Sequence, residues 1–253
     1  MEKISSKIQT FSEYICQASN IVVFTGAGIS TESGISDYRS KGGIWERFVP
    51  VTIQEFLASE EKRKIYWQRK LELFETFGDA KPNQGHYMIV RLEKMGKLKG
   101  IITQNIDGLH QLAGSCGDKI LEIHGSNRET ICLSCGDLRP WEDVYKRLKS
   151  GEEVPLCLKC KGFLKPNTIS FGQALDQDVL RESMEWASQC DLMLAIGSTL
   201  VVEPAASLPR IAKQNGAKLV IITLSETPLD AIADLKISAG IGETLSAALN
   251  RRD

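Results

Sequence analysis

Ile21-Val22-Val23-Phe24-Thr25-Gly26-Ala27-Gly28-Ile29-Ser30 is the stretch on which the reading of this chain turns. A short β-branched and aromatic run that ends in glycines reads as a buried strand feeding a tight turn. Glycines at such a turn let the backbone pass close to a phosphate, and the amides at the start of the next helix favour an anion there. The dinucleotide fingerprint wants a third small residue, and Thr31 stands in its place. Glu46 lies at the distance of a ribose-binding acid, but Ser40 to Trp45 before it is no strand, so the hydride-transfer pattern is missing. A tight strand-to-helix turn without a ligand is the alternative.

Outward from this turn the chain alternates. Ile4, Ile8, Phe11 and Ile15 give an opening amphipathic helix over 4–18, and residues 36–50, with Gly42-Gly43 and Pro50, read as a mobile loop. Helices are predicted near 52–58, 60–76, 84–95, 176–188, 207–215 and 242–250, and strands at 101–103, 120–123, 192–196 and 219–222. Strands alternating with helices imply a mainly parallel sheet covered on both faces. The helical piece and the cysteine-bearing piece at 127–165 are predicted to interrupt this α/β plan.

Bulk composition excludes several classes of function. The 253 residues are 42% hydrophobic and 25% charged, ordinary for a globular chain. With 31 basic and 32 acidic side chains there is no bulk field to steer the chain onto nucleic acid or anionic lipid. The apolar runs fall far short of the ~20 residues of a membrane helix. Met1 to Ser5 opens no apolar signal core. Seven cysteines, four of them in tight pairs, argue for a metal site in a reducing compartment, and the expected localisation is cytoplasmic.

The two pairs are Cys132-Leu133-Ser134-Cys135 and Cys157-Leu158-Lys159-Cys160. Each knuckle puts two sulfurs on one side of a turn, and two knuckles complete a tetrahedron for zinc. A closed tetrathiolate leaves no position for substrate, so such a zinc holds structure only. Thr103-Gln104-Asn105-Ile106-Asp107 comes straight off a strand, and in an open α/β sheet the ligand crevice lies at the carboxyl ends of strands. A capped turn would use the same residues. Of the three histidines, His86 begins a helix and reads as capping or core, and His110 fits either role. His124 ends a strand at the same sheet edge as Asn105, where it can take a proton from a bound ribose.

Taken in order, these pieces resemble the sirtuins, the NAD-dependent protein deacylases. The resemblance rests on Gly26-Ala27-Gly28-Ile29-Ser30 with Glu32-Ser33-Gly34-Ile35, Asp37-Tyr38-Arg39, Gln104-Asn105-Ile106-Asp107, His124-Gly125 and the four cysteines. Phe171-Gly172, Gly197-Ser198-Thr199-Leu200 with Pro204-Ala205, and Thr227-Pro228-Leu229-Asp230 extend it to the C-terminal part of the chain. It implies a Rossmann-like domain over 1–38, 97–126 and 169–253, a mobile loop and helical module over 39–96, and a zinc module over 127–168. It also implies NAD as co-substrate and an acyl-lysine peptide in the cleft between. In sirtuins the acyl oxygen attacks C1′ of the nicotinamide ribose, nicotinamide leaves, and the acyl group ends on ADP-ribose.

By that resemblance His124 and Asn105 are the catalytic pair. The dinucleotide site takes Gly26, Ala27, Gly28, Ser30, Glu32, Asp37, Tyr38, Arg39, Trp45, Gln104, Ile106 and Asp107, then Gly197, Ser198, Thr199, Thr223, Leu224, Ser225 and Ile241. Phe171, Gly172, Val201, Val202 and Glu203 flank the peptide. The chain departs from the common pattern at Ser36, Tyr38, Gln173, Thr223 and Ser225, and the segments 30–40 and 66–69 are most similar to the class II branch. Tyr66 and Arg69 resemble the acid-acyl recognition pair of desuccinylating sirtuins, although an i,i+3 aromatic/basic pair also reads as plain helix surface. The same pocket would serve a protein mono-ADP-ribosyltransferase. A non-catalytic NAD-binding or zinc interaction module is the reading from another class.

Overall fold

The computed structural model describes residues 2–38 and 42–250. Six parallel strands make the main sheet: β1 (Ile21–Thr25), β2 (Leu98–Thr103), β3 (Ile120–Glu122), β7 (Leu192–Ile196), β8 (Lys218–Ile222) and β9 (Leu235–Ile237). Their spatial order is β3-β2-β1-β7-β8-β9. The chain thus leaves β1 in both directions, and the crevice at the carboxyl ends of β1, β2 and β7 is the topological switch point of a doubly wound sheet. β9 was not foreseen, since three residues are too few to show a period.

Alternation along each strand decides which face a residue serves. Ile21 and Val23 of β1 pack with Ile101, Leu194, Ile196, Val220 and Ile222 against helices α1 (Glu2–Gln17), α5 (Gln84–Lys94) and α10 (Ile241–Asn250). Val22 and Phe24 join Ile102, Met193, Ala195 and Ile221 on the opposite face, under α8 (Gln177–Gln189) and α9 (Leu208–Gln214). Every residue of β1 and β7 is buried, as expected of a parallel sheet covered on both sides.

The second sheet is small and antiparallel, in the order β5-β4-β6, from β4 (Gly125–Cys132), β5 (Leu138–Pro140) and β6 (Leu164–Thr168). Helices α2 (Ile44–Arg47), α3 (Ile53–Ala58), α4 (Glu60–Phe77) and α7 (Trp141–Lys149) belong to the chain around it, and α6 (Leu109–Ala113) follows β2. The helical and cysteine-bearing pieces share one core: Phe56, Tyr66 and Trp67 pack with Cys132, Trp141, Val144, Cys157 and Leu164. Trp67 stacks on Trp141, with centroids 6.2 Å apart and planes at 21°. No helix among the described residues is long and apolar enough to cross a membrane.

Candidate active site

A cavity of about 800 Å³ opens at the carboxyl edge of the main sheet and runs toward the small one. Its size falls in the usual range for a small-molecule or cofactor site. The first wall is the glycine turn. Gly28 N donates to Gly197 O at 2.8 Å, and Gly26 N to Ile196 O at 3.0 Å. A Cβ on Gly26 or Gly28 would stand 2.8 Å from the Gly197 backbone, and one on Gly197, at φ +64°, would meet Ile29 N at 2.4 Å. The structure adds a second use for these glycines: they let the β1 and β7 turns close on each other, and the turn enters a 3-10 helix over Ala27–Ser33. Glu32 is also committed elsewhere, its Oε1 accepting from Ile241 N at 2.9 Å and Gly242 N at 3.2 Å, a cap on the positive end of α10.

The second wall is the polar run after β2. Asn105 Nδ2 donates to Gly26 O and to Ser30 Oγ, both at 3.2 Å, and Ser30 Oγ donates to Asp107 Oδ2 at 2.7 Å. The other Asp107 oxygen accepts from Leu109 N at 2.9 Å. Burial raises the Asp107 pKa against these bonds. The Tyr38 hydroxyl is pushed up to about 12, by burial first and by the Asp107 charge second. Ser198 Oγ donates to Gln104 Oε1 at 2.7 Å, which locks the third turn onto the second.

His124 lines the cavity beside these groups. Its Nδ1 lies 3.1 Å from Gln104 O. A carbonyl only accepts, so Nδ1 carries the proton and Nε2 keeps its lone pair. Burial lowers the pKa of the ring, partly offset by that carbonyl bond, so the ring is neutral at physiological pH. A neutral, half-buried imidazole of fixed tautomer at a ligand cavity is equipped to accept a proton.

Of the residues assigned to the cofactor from sequence, Gly26, Ala27, Gly28, Glu32, Asp37, Tyr38, Gln104, Asn105, Ile106, Gly197, Ser198, Thr199, Thr223, Leu224, Ser225 and Ile241 line this cavity. Ser30 and Asp107 stand behind it: Ser30 accepts from Asn105 and donates to Asp107. Arg39 and the Trp45 side chain lie outside the described residues. Of the residues assigned to the peptide from sequence, Phe171, Gly172, Val202 and Glu203 line the cavity, whereas Val201, 52% exposed, does not. The helix-surface reading of Tyr66 and Arg69 is wrong, because Tyr66 is only 8% exposed and both residues line the cavity. Arg69 Nη1 donates to Val49 O, and its guanidinium lies 5.6 Å from the Phe48 ring centre. The sequence reading missed Lys70 and Leu73, which line the same wall. Their spacing from Tyr66, four and seven residues, marks one face of α4 and could have found them.

The four cysteine sulfurs lie within 4.8 Å of one another. Cys132 Sγ is 3.5 Å from Cys160 Sγ, and Cys135 Sγ is 3.8 Å from Cys157 Sγ. Four sulfurs each about 2.3 Å from a central zinc stand about 3.8 Å apart, whereas a disulfide would need about 2.05 Å. The donor set and its spacing therefore fit tetrahedral zinc. Six strand residues separate Gly125 from Cys132, roughly 20 Å of extended chain between the histidine and the thiolates, too far for the metal to touch a ligand in the cavity.

A parallel α/β sheet with a cleft at its switch point, a neutral histidine in that cleft and a remote tetrathiolate defines a nucleotide-binding enzyme scaffold with a metal-braced lobe. The Sir2 family model matches residues 26–204. The chain is 46% identical over 244 residues to a protein of Thermodesulfovibrio yellowstonii named NAD-dependent protein deacetylase, covering 96% of this chain and 94% of that one. It is 45% identical over 242 residues to one of the same name from Rhodopseudomonas palustris, covering 96% of each. A Sir2 structure with a p53 peptide and NAD+ superposes with a TM-score of 0.83 at 38% identity, covering 97% of this chain and 98% of that one. This chain belongs to the Sir2 family.

Proposed function

We propose that this protein is an NAD-dependent protein-lysine deacylase, with His124 as proton acceptor and Asn105 and Asp107 as the polar grip on the ribose end. The observation that carries the reading is the His124 tautomer, with Nδ1 tied to Gln104 O and the Nε2 lone pair left for a ligand in the cavity. Bound NAD supplies the nicotinamide–ribose bond that is broken. The chain's own residues do the rest. The Asp107 carboxylate, held by Ser30 and Leu109 behind Asn105, would offset from there the positive charge that grows as that bond stretches. Asn105 is fixed by Gly26 and Ser30, and Nε2 of His124 takes a proton from a ribose hydroxyl.

Phe171, Gly172, Val202 and Glu203 flank the acyl-lysine peptide, with Val201 at the outer edge. The cavity wall of Tyr66, Arg69, Lys70 and Leu73 meets the far end of the acyl chain. The Rossmann-like part spans 1–38, 97–126 and 169–253, the loop and helical module 39–96, and the zinc module 127–168. A thiolate zinc site suits a reducing compartment, which supports a cytoplasmic location.

Incubation with NAD and a panel of acyl-lysine peptides tests this directly. Nicotinamide should appear with loss of the acyl mass from peptide. A gain of ADP-ribose mass on protein would instead mark transfer, and no nicotinamide at all would leave only a binding module. His124→Ala should lower kcat by roughly 100-fold or more while the thermal midpoint stays put. The proton acceptor works in its neutral form, and burial lowers its pKa. Activity should therefore persist below the ordinary histidine range and fall only at more acid pH, with the limb absent from the residual rate of the variant.

A further inference from the structure

Two buried histidines outside the cavity are left with one unused nitrogen each, and their chemistry is complementary. His86 and His110 are 0% and 2% exposed, with ring centroids 5.0 Å apart and planes at 60°. Asn83 N donates to His86 Nδ1 at 3.3 Å, so the proton of a neutral His86 is on Nε2. Thr25 Oγ1 donates to Thr103 Oγ1 at 2.8 Å and lies 3.0 Å from His110 Nε2, which in that arrangement donates to it. The His110 proton is thus on Nε2 and its Nδ1 is a bare acceptor. His86 Nε2 and His110 Nδ1 are both buried without a hydrogen-bond partner among the described residues. One is a donor and the other an acceptor, on adjacent rings that do not meet at hydrogen-bond distance in this structure.

Both ends of this line reach the same place. Thr103 Oγ1 accepts from Asn105 N at 3.0 Å, and Asn105 Nδ2 donates to Ser30 Oγ at 3.2 Å. At the other end, Asn83 Nδ2 donates to Ile29 O at 2.7 Å and Ser33 Oγ at 2.9 Å. Ile29, Ser30 and Ser33 all belong to the 3-10 helix after the glycine turn. We propose that His86 and His110 are positioning residues for Asn105: a neutral imidazole pair, joined Nε2–H to Nδ1, closes a ring of hydrogen bonds that fixes the Asn105 turn against this 3-10 helix. An unsatisfied buried pair costs free energy that the closed ring recovers, and a side chain gripping a reacting group tolerates little displacement.

The inference rests on the deacylase reading for its kinetic consequence, but the tautomers can be read without activity. In the zinc-loaded wild-type protein at neutral pH, 15N spectra of the imidazoles should show the proton on Nε2 in both His86 and His110. A proton on His110 Nδ1 overturns the pairing. His110→Leu removes both polar atoms and should lower kcat roughly 10- to 100-fold with the peptide KM unchanged. His110→Gln keeps an amide N–H for Thr25 and should recover most of that loss. His86→Leu combined with His110→Leu should cost no more than about twofold beyond the single change. A Gln variant no better than Leu, or strictly additive losses, overturns the positioning role. If His110→Leu does not fold, the wild-type tautomers and the Gln variant still decide it. If wild-type protein releases no nicotinamide, the deacylase reading fails and the tautomers alone judge the pair.

Discussion

The two sheets of this molecule are held by different means. The parallel sheet buries whole strands: each residue of β1 and β7 is out of solvent, under aliphatic layers on both faces. The small antiparallel sheet is covered unevenly: three of the eight β4 residues and four of the five β6 residues are buried, and none of β5. Its core joins Phe56, Tyr66, Trp67 and Trp141 with Cys132 and Cys157. Burial near 25 cal/mol per Å² stabilises the first without help. The second is short of apolar surface for its length, the condition under which small modules take a structural metal. Precision at the cavity follows the same division. The glycine turns at the cavity are set by backbone pressed on backbone, while the small lobe holds a metal-sized cluster of thiolates.

The contrast breaks most simply if the metal does not matter. Stripping zinc with a chelator, or Cys157→Ser, should cost the small lobe on the order of 5 kcal/mol or more. The near-UV signal of stacked Trp67 and Trp141 should collapse while most helix signal remains. An unchanged near-UV spectrum and midpoint would mean that the lobe stands on its own packing.

Paired glycine substitutions sharpen the difference. A Cβ at Gly197 meets the Ile29 nitrogen at 2.4 Å, so Gly197→Ala should destabilise by about 2–4 kcal/mol and weaken NAD binding. Gly136 in the cysteine knuckle also has positive φ, +70°, but a Cβ there has nothing within 4 Å. Gly136→Ala should cost only the left-handed strain, about 1 kcal/mol. Urea unfolding of the two variants, side by side, measures the gap, and equal losses would deny that close approach governs the cofactor turns.

Acid should act on the parallel sheet's end of the molecule first. Burial lowers His86 to about 4, and burial with the neighbouring His86 lowers His110 to about 3. Their folded values lie below the unfolded value, so the unfolded chain binds the extra protons. The stability is fully present above about 6.5 and is lost as pH falls toward 4. Each ring can contribute a slope of up to about 1.4 kcal/mol per pH unit in that window. Denaturant midpoints between pH 7 and 5 should show the slope, and His110→Gln should reduce it to roughly half, leaving the His86 share. A flat profile in the wild type would mean that these rings are not buried neutral.

The smallest effect is expected on the outside of the lobe. Lys64 and Glu153 stand 2.8 Å apart with side chains 43% and 68% exposed. Lys64→Ala should shift stability by less than about 0.5 kcal/mol. A larger shift would show that surface charge, beyond zinc and aromatic packing, holds the small lobe.

Much of the scaffold could be read directly from residue order. The runs 21–24, 192–196 and 219–222 are apolar and β-branched, and each became a strand of the parallel sheet within a residue. The helix expected near 84–95 formed over Gln84–Lys94, with Asn83 at its cap. The sheet β4-β5-β6 and α7 were hidden because the segment 127–165 reads as turns and cysteines, with strands too short or too polar to show a period. At the site, Gln104, Asn105 and His124 were singled out by their place after strands. Lys70 and Leu73 were missed because α4 was read as a surface helix, and nothing local says which face meets a cavity.

By itself, the order of residues determined the parallel α/β plan, the tetrathiolate and the polar edge, because period, glycine turns and paired cysteines act over a few residues. Only the tertiary structure decided that Glu32 caps α10, that Gly26 and Gly28 serve a close approach to Gly197, and that Tyr66 faces inward. It alone set the His124 tautomer and brought His86 and His110 together. Each of these depends on partners scores of residues away in sequence, and a buried polar atom's role is fixed by the partner that reaches it.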